Sequence, residues 1–423
     1  MRILYLPAYF YPETAASSYL SENRNQAFSE AGFETITYAP TPCRGVTRDI
    51  RKQYSSKKYR KEKMFDSRMT VHRFSLYAEG KNPILRAIRY CLCWIIQFHK
   101  ALWTRDIDCI YLASTPPIQG LIGSWAGRIR KIPFVYNLQD IFPDSLVGTS
   151  LASKGGVLWR IGRLIENSTY KGATKIVVIS EDFKKNIMAK GVPEEKIVVI
   201  YNWVDEEAVV NVPRTENKLF DKYNLDRDKF YLCYSGNIGL TQNLDMLIEV
   251  MKELLTEAPD VRLVLIGEGA YKEQVVKMIA GQTGDDGAIR GTAIPNVIIL
   301  PFQPYEDISH VFSLGDAGLV ISKPGVGANS VPSKTWSIMS ASRPVLANFD
   351  ENELKDIIAN HHCGIFSKAS DNAAFKASIL TLYHHPELCK KYGSNGRQFV
   401  MDNLTKEVGT KKYVDVIKSF EKQ

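Results

Sequence analysis

The chain has 423 residues, 45% of them hydrophobic and 24% charged. That length exceeds one compact core, so two domains are expected, and the composition is that of a soluble globular protein. The seven cysteines are odd in number and show no C-x-x-C spacing, which argues against a disulfide frame or a zinc site and for reduced thiols.

From the N-terminus, strand-like apolar runs alternate with helical stretches. In the first half they are Ile3–Pro7, Glu34–Ala39, Thr70–Phe74, Cys109–Ala113, Phe134–Leu138, Lys175–Ile179 and Lys196–Tyr201. The second half offers Tyr231–Ser235, Arg262–Ile266, Asn296–Leu300, Gly318–Ile321, Pro344–Asn348 and Gly364–Phe366. Such alternation predicts an α/β fold with parallel sheets. The polar stretch from Val204 to Asp228 reads as a domain junction. The first strand is too short for a signal-peptide core, and no run approaches the roughly 18 apolar residues a spanning helix needs.

The net charge of +8 is concentrated. Between Arg44 and Lys63 nine basic residues face two acids, and Arg51, Lys52, Lys57, Lys58 and Arg60 lie at the centre of that run. The patch suits anionic lipid headgroups or a pyrophosphate, with a solvated loop as the alternative. No nucleic-acid recognition motif accompanies it, so no nucleic-acid partner is expected. Next comes a predicted helix over Ile84–Trp103. Arg86, Arg89, Cys93, Gln97 and Lys100 form one narrow polar stripe, and Trp94 belongs to the wide apolar remainder. The helix is either core or interfacial to a membrane.

Ligands of doubly wound sheets bind beyond the carboxyl ends of the strands, so the residues following each strand are the candidates. After the first strand a loop carries Glu13, Ala15, Ala16 and Ser17; the fifth run is followed by Gln139 and Asp140. In the second half Gly236 and Asn237 follow one strand, and Gly267, Glu268 and Gly269 the next. Glycine turns there let backbone approach a phosphate or ribose. None completes G-x-G-x-x-G, which argues against a dinucleotide oxidoreductase. A helix begins at Ser333-Lys334, where unpaired N–H groups and a lysine suit an anion.

The ordered segments Tyr9-Phe-Tyr-Pro-Glu13, Asn137-Leu-Gln-Asp-Ile-Phe-Pro-Asp144, Tyr234-Ser-Gly-Asn-Ile-Gly239, Leu265-Ile-Gly-Glu-Gly269 and Pro332-Ser-Lys334 to Arg343-Pro-Val345 resemble the retaining glycosyltransferases of family 4. The likeness runs over almost the whole chain, and is strongest to the bacterial polysaccharide branch, including N-acetylfucosaminyltransferase-like enzymes. It implies the GT-B architecture of two facing Rossmann-like domains. Residues 1–205 would bind the acceptor and 206–405 the nucleotide sugar, with a last helix over 406–423 returning to the first domain. It also implies retaining transfer from a nucleoside diphosphate sugar, UDP-linked and N-acetylated, to a polyprenyl-pyrophosphate-linked or glycan acceptor of O-antigen or capsule. No essential metal or other cofactor is expected, and the implied location is cytoplasmic, peripheral on the inner face of the membrane.

The family's two donor-site glutamates would fall at Asn329 and Ser337, its diphosphate-holding Arg and Lys at Asn237 and Gln242, and a common His at Gln139. A departing diphosphate still needs positive charge. Lys334 is the best remaining source, with Lys323 and Arg343 behind it. Phe302 and the backbone before it would meet the nucleoside, and Asp140 and Glu13 would orient sugar hydroxyls. The alternatives are a non-catalytic nucleotide-sugar scaffold and a nucleotide-sugar 2-epimerase.

Overall fold

The computed structural model describes the whole chain except residues 14–17, 81, 146–152, 154, 328–330 and 422–423. It divides into two compact units, Met1–Tyr201 with Gly409–Gln423, and Asn202–Val408.

The first unit contains strands β1 (Arg2–Tyr5), β2 (Glu34–Pro40), β3 (Lys61–Met64), β4 (Met69–Phe74), β5 (Cys109–Ala113), β6 (Phe134–Leu138), β7 (Lys175–Val178) and β8 (Ile197–Val199). Its helices are α1 (Ser18–Glu30), α2 (Arg48–Tyr54), α3 (Pro83–Trp103), α4 (Gln119–Arg130), α5 (Val157–Gly172) and α6 (Glu181–Ala189). The sheet order is β3-β4-β2-β1-β5-β6-β7-β8, parallel throughout except for the β3–β4 pair. Strands β5 and β6 are apolar runs with almost every residue buried, because helices cover both faces of a parallel sheet. Helix α3 starts where Asn82 caps the N–H groups of Ile84 and Leu85 and Pro83 occupies the first turn.

The second unit contains α7 (Lys218–Lys222), β9 (Phe230–Ser235), α8 (Leu244–Glu257), β10 (Val261–Ile266), α9 (Lys272–Met278), β11 (Gly281–Thr283), β12 (Ile289–Gly291) and β13 (Val297–Leu300). It continues with α10 (Ile308–Phe312), β14 (Ala317–Ile321), α11 (Lys334–Ser340), β15 (Val345–Phe349), α12 (Glu353–His361), β16 (Gly364–Lys368), α13 (Asn372–His384) and α14 (Pro386–Asn403). The sheet runs β11-β12-β13-β10-β9-β14-β15-β16. Helix α15 (Lys406–Lys418) carries the chain out of this unit; its Tyr413 hydroxyl donates to Asn137 Oδ1 at 3.1 Å within the first.

In both units the parallel strands follow one plan, third-second-first-fourth-fifth-sixth, the doubly wound Rossmann order, and the first unit adds β8 as a seventh. The crevice for a ligand lies where the order reverses, between β1 and β5 and between β9 and β14. All thirteen predicted strands are present. Sequence reasoning missed β3 and the β11–β12 hairpin. It also treated residues 204–228 as a junction, whereas much of this stretch is strapped to the second unit: Ser309 Oγ and Ser313 Oγ accept from Val210 N and Val212 N, and Arg397 donates to Val209 O.

Candidate functional site

In the second unit the chain leaves β9 and β10 through two turns that touch. A Cβ on Gly267 would lie 1.9 Å from Gly236 O, so only glycine permits this approach, and Gly267 sits at φ +156°. The turns are laced by Gly236 N to Ile266 O at 2.9 Å, Ile238 N to Glu268 O at 2.9 Å and Tyr271 N to Ile238 O at 3.0 Å. Across the switch point, Lys323 N donates to Thr241 O at 2.9 Å, which fixes the segment after β14 against the segment after β9.

Lys334, the first residue of α11, reaches over these turns. Its Nζ lies 3.7 Å from the centroid of the Tyr234 ring, and a Cβ on Gly236 would come within 3.1 Å of it. Among the described residues no carboxylate pairs with it. Loss of hydration, opposed weakly by Cys233, pushes its pKa down to about 7. Tyr234 was not foreseen. It supplies the ring under Lys334, and its hydroxyl lies 2.7 Å from Asn237 O and 3.0 Å from Gln242 Oε1, with its one proton to donate to either. Its signal was an aromatic residue two places before a strand-end glycine.

The remaining donor-side candidates gather around this core with different freedom. Lys323 Nζ is 3.8 Å from Asp245 and lies over the Tyr271 ring, while Tyr271 donates to the same carboxylate. Glu268 is paired with Lys272 at 2.7 Å. Ser337 is half-buried, Ser333 is exposed without a capping hydrogen bond, and the Phe302 ring is 72% exposed beyond β13. Arg343 does not join them; it is spent on the carbonyls of Ser313 and Val212. Asn329 lies outside the described residues, as do Ala15, Ala16 and Ser17.

In the first unit the structure corrects Glu13. Its carboxylate accepts from Phe10 N at 2.8 Å, Cys43 N at 2.7 Å and Arg44 N at 2.9 Å. It clamps the loop after β1 to the loop after β2 and is not a free carboxylate. Asp140, after β6, is exposed and accepts from Ser145 Oγ at 3.0 Å; partial desolvation raises its pKa. Gln139 donates to Asn137 Oδ1.

The expected cationic surface is also corrected. Arg89 is buried and donates to Cys43 Sγ at 3.0 Å, because the middle of the polar stripe of α3, Arg89, Cys93 and Gln97, faces inward while Arg86 stays exposed. Trp94 is half-buried, stacked on Phe98 at 5.0 Å and edge-on to Trp125 at 5.5 Å. Arg51 holds the carbonyls of Pro42 and Leu76, and Arg86 pairs with Glu79 at 3.0 Å. Lys52, Lys57, Lys58 and Arg60 do not all lie in a loop as one alternative held: they fall in α2 and a following 3₁₀ turn. Sequence reasoning missed Arg73, buried at the end of β4 between Glu62 and the rings of Phe10 and Tyr54. An arginine inside an alternating apolar strand was the available sign.

Two repeated doubly wound units, with a glycine-lined strand-end site and an unpaired lysine in the second, have the GT-B architecture, and similarity to known families makes the chain a glycosyltransferase. Residues 28–203 match the glycosyl transferase 4-like domain and residues 215–399 match glycosyl transferases group 1, so the chain belongs to the group 1, family 4-like glycosyltransferases. It is 25% identical over 301 residues to WcaI of Escherichia coli, a glycosyl transferase named for colanic acid biosynthesis, covering 69% of each chain. It is 32% identical over 187 residues to EpsD of Bacillus subtilis, named as a glycosyltransferase, covering 44% of this chain and 45% of that one. The fold matches HepE of Anabaena, solved in complex with UDP, at a TM-score of 0.70 and 16% identity over 99% of this chain and 100% of that one. Among the described residues no helix is long and apolar enough to cross a membrane.

Proposed function

We propose that this enzyme transfers a hexose-type sugar, with retention, from a UDP-sugar to a lipid-linked glycan acceptor during assembly of a bacterial surface polysaccharide such as O-antigen or capsule. An N-acetylated deoxyhexosamine is the favoured sugar. The observation that carries the reading is Lys334, a lysine without a carboxylate partner, poised over the Gly236–Gly267 contact at the strand ends. Such a cation suits the diphosphate, and the glycine turns suit close approach of backbone N–H groups. The names of WcaI and EpsD and the UDP held by HepE point the same way.

In the proposed reaction the bond from the anomeric carbon to the diphosphate breaks through an oxocarbenium-like state. The acceptor oxygen bonds to that carbon on the same face, and its proton passes to the departing phosphate. Lys334 stabilises the charge that develops on the leaving group. Asn237 and Gln242, fixed by Tyr234, hold the donor, and Asp140 orients a hydroxyl. The charge supplied by Lys334 makes a divalent metal dispensable in this scheme, so EDTA should leave transfer unchanged.

The test is binding and slow hydrolysis across UDP-, GDP- and dTDP-sugars, comparing wild type with Lys334→Ala. Selective binding of one UDP-sugar, with hydrolysis lost in the variant, supports the reading. Binding of none, or equal hydrolysis by the variant, overturns it.

A further inference from the structure

The first unit turns part of its helical layer inside out. Helix α4 packs against α3 on one side and α5 on the other, with Trp125 edge-on to Trp94 and Ser124 Oγ donating to Ser168 O at 2.7 Å. All three helices leave apolar side chains in water. On α3 these are Ile84, Leu85, Ile88, Leu92 and Ile95, one helical face at steps of three and four. The opposite face buries Arg89, Cys93 and Gln97. On α4 they are Trp125 and Ile129, one turn apart; on α5 they are Val157, Leu158, Ile161 and Leu164, the last 70% exposed. With Trp103 at the end of α3, twelve of the twenty-two large hydrophobic residues exposed among the described residues lie on these three helices. Scattered exposed hydrophobics need no explanation, but such a concentration marks a binding surface.

Charge selects the occupant. The three helices carry eight lysines and arginines and one acid, Glu166. That acid is buried and ion-paired with Arg163 and Lys190, so no carboxylate of these helices faces out. Arg128 and Arg160 are exposed beside the apolar rows. A second copy docked isologously would bring two faces of the same positive charge together. An anionic lipid surface accepts both features, with apolar side chains at the acyl boundary and guanidinium groups on phosphates.

We propose that the outer face of α3, α4 and α5 docks on an anionic bilayer and holds the enzyme where a lipid-borne acceptor is anchored. The proposal deepens the lipid-linked acceptor reading and rests on it for its purpose. It relocates the docking surface, since sequence reasoning placed it on the Arg44–Lys63 run and α3 and never implicated α4 or α5.

The experiment is flotation of the full chain with vesicles of phosphatidylcholine, alone or with about a third phosphatidylglycerol, at physiological salt. Wild type is compared with Leu92→Ser/Ile95→Ser, Leu158→Ser/Ile161→Ser and Arg128→Glu/Arg160→Glu. UDP titration and thermal melting of each variant report the donor site and folding separately. Wild type should prefer anionic vesicles, and each pair should weaken binding about tenfold or more while UDP binding stays unchanged. The proposal is overturned if wild type ignores anionic vesicles, or if the α5 pair and the arginine pair both float like wild type. It is also overturned if the serine pairs abolish self-association in sedimentation equilibrium and leave flotation intact, which assigns the face to a second copy. Wild type that floats but binds no UDP supports the docking surface and refutes the donor reading.

Discussion

Helices α8 and α3 carry equally clear periodicity and point it in opposite directions. In α8, Leu247, Met251 and Leu254 face the core of the second unit, while Glu249, Lys252 and Glu253 face water. In α3, Arg89, Cys93 and Gln97 face inward, and the Gln97 amide donates to the carbonyls of Pro7 and Tyr38, both at 2.8 Å. Gln97 is therefore spent on two backbone carbonyls that would otherwise be buried without partners, and Arg89 on the Cys43 thiol. A stripe of either kind says that a helix has two faces; it does not say which one the fold covers.

The largest stability effect is expected at the backbone contact of the second unit: Gly267→Ala should cost about 3 kcal/mol or prevent folding, because neither strand end can retreat. Chemical denaturation measures it, and an alanine variant of wild-type stability would show that the turns are not rigid. For the helices themselves, Leu247→Ala should lose about 3 kcal/mol and Leu92→Ala less than about 0.5 kcal/mol, since Leu247 is wholly buried and Leu92 is 40% exposed. Equal losses would mean that α3 is covered. Arg89→Ala should fall between them, at about 1–2 kcal/mol, because it removes a buried donor along with its packing.

A subtler effect follows from pH. Burial lowers the folded-state pKa of Lys334 from 10.5 to about 7, so between those values the unfolded chain binds more protons than the folded one. This residue therefore penalises folding below pH 7, and the penalty fades as pH rises towards 10.5. Donor binding runs the other way. A diphosphate favours the charged amine, so affinity should fall as pH rises above 7, with proton uptake on binding. Calorimetry in buffers of different ionisation enthalpy reads that uptake.

Much of this was legible from the residues. Buried parallel strands such as Val261–Ile266 are mainly apolar runs, and their alternation with helices marks the sheets as parallel. Strand β3 was not legible, because Lys61-Glu-Lys-Met64 is a charged antiparallel edge with no apolar face to betray it. The glycine turns and Lys334 stood out by position after strands. The clamp formed by Glu13 did not, since its partners at Cys43 and Arg44 are thirty residues away and are backbone groups. The ring of Tyr234 was hidden for a similar reason: strand periodicity marks it as core, and only the fold brings α11 above it.

The most direct test of the account is titration of UDP into wild type and Lys334→Ala at pH 6.5 and 8.5. Wild type should bind more tightly at the lower pH with proton uptake, and the variant should lose about tenfold or more in affinity together with the pH dependence. A variant that binds UDP as well as wild type, with the same pH dependence, would contradict it.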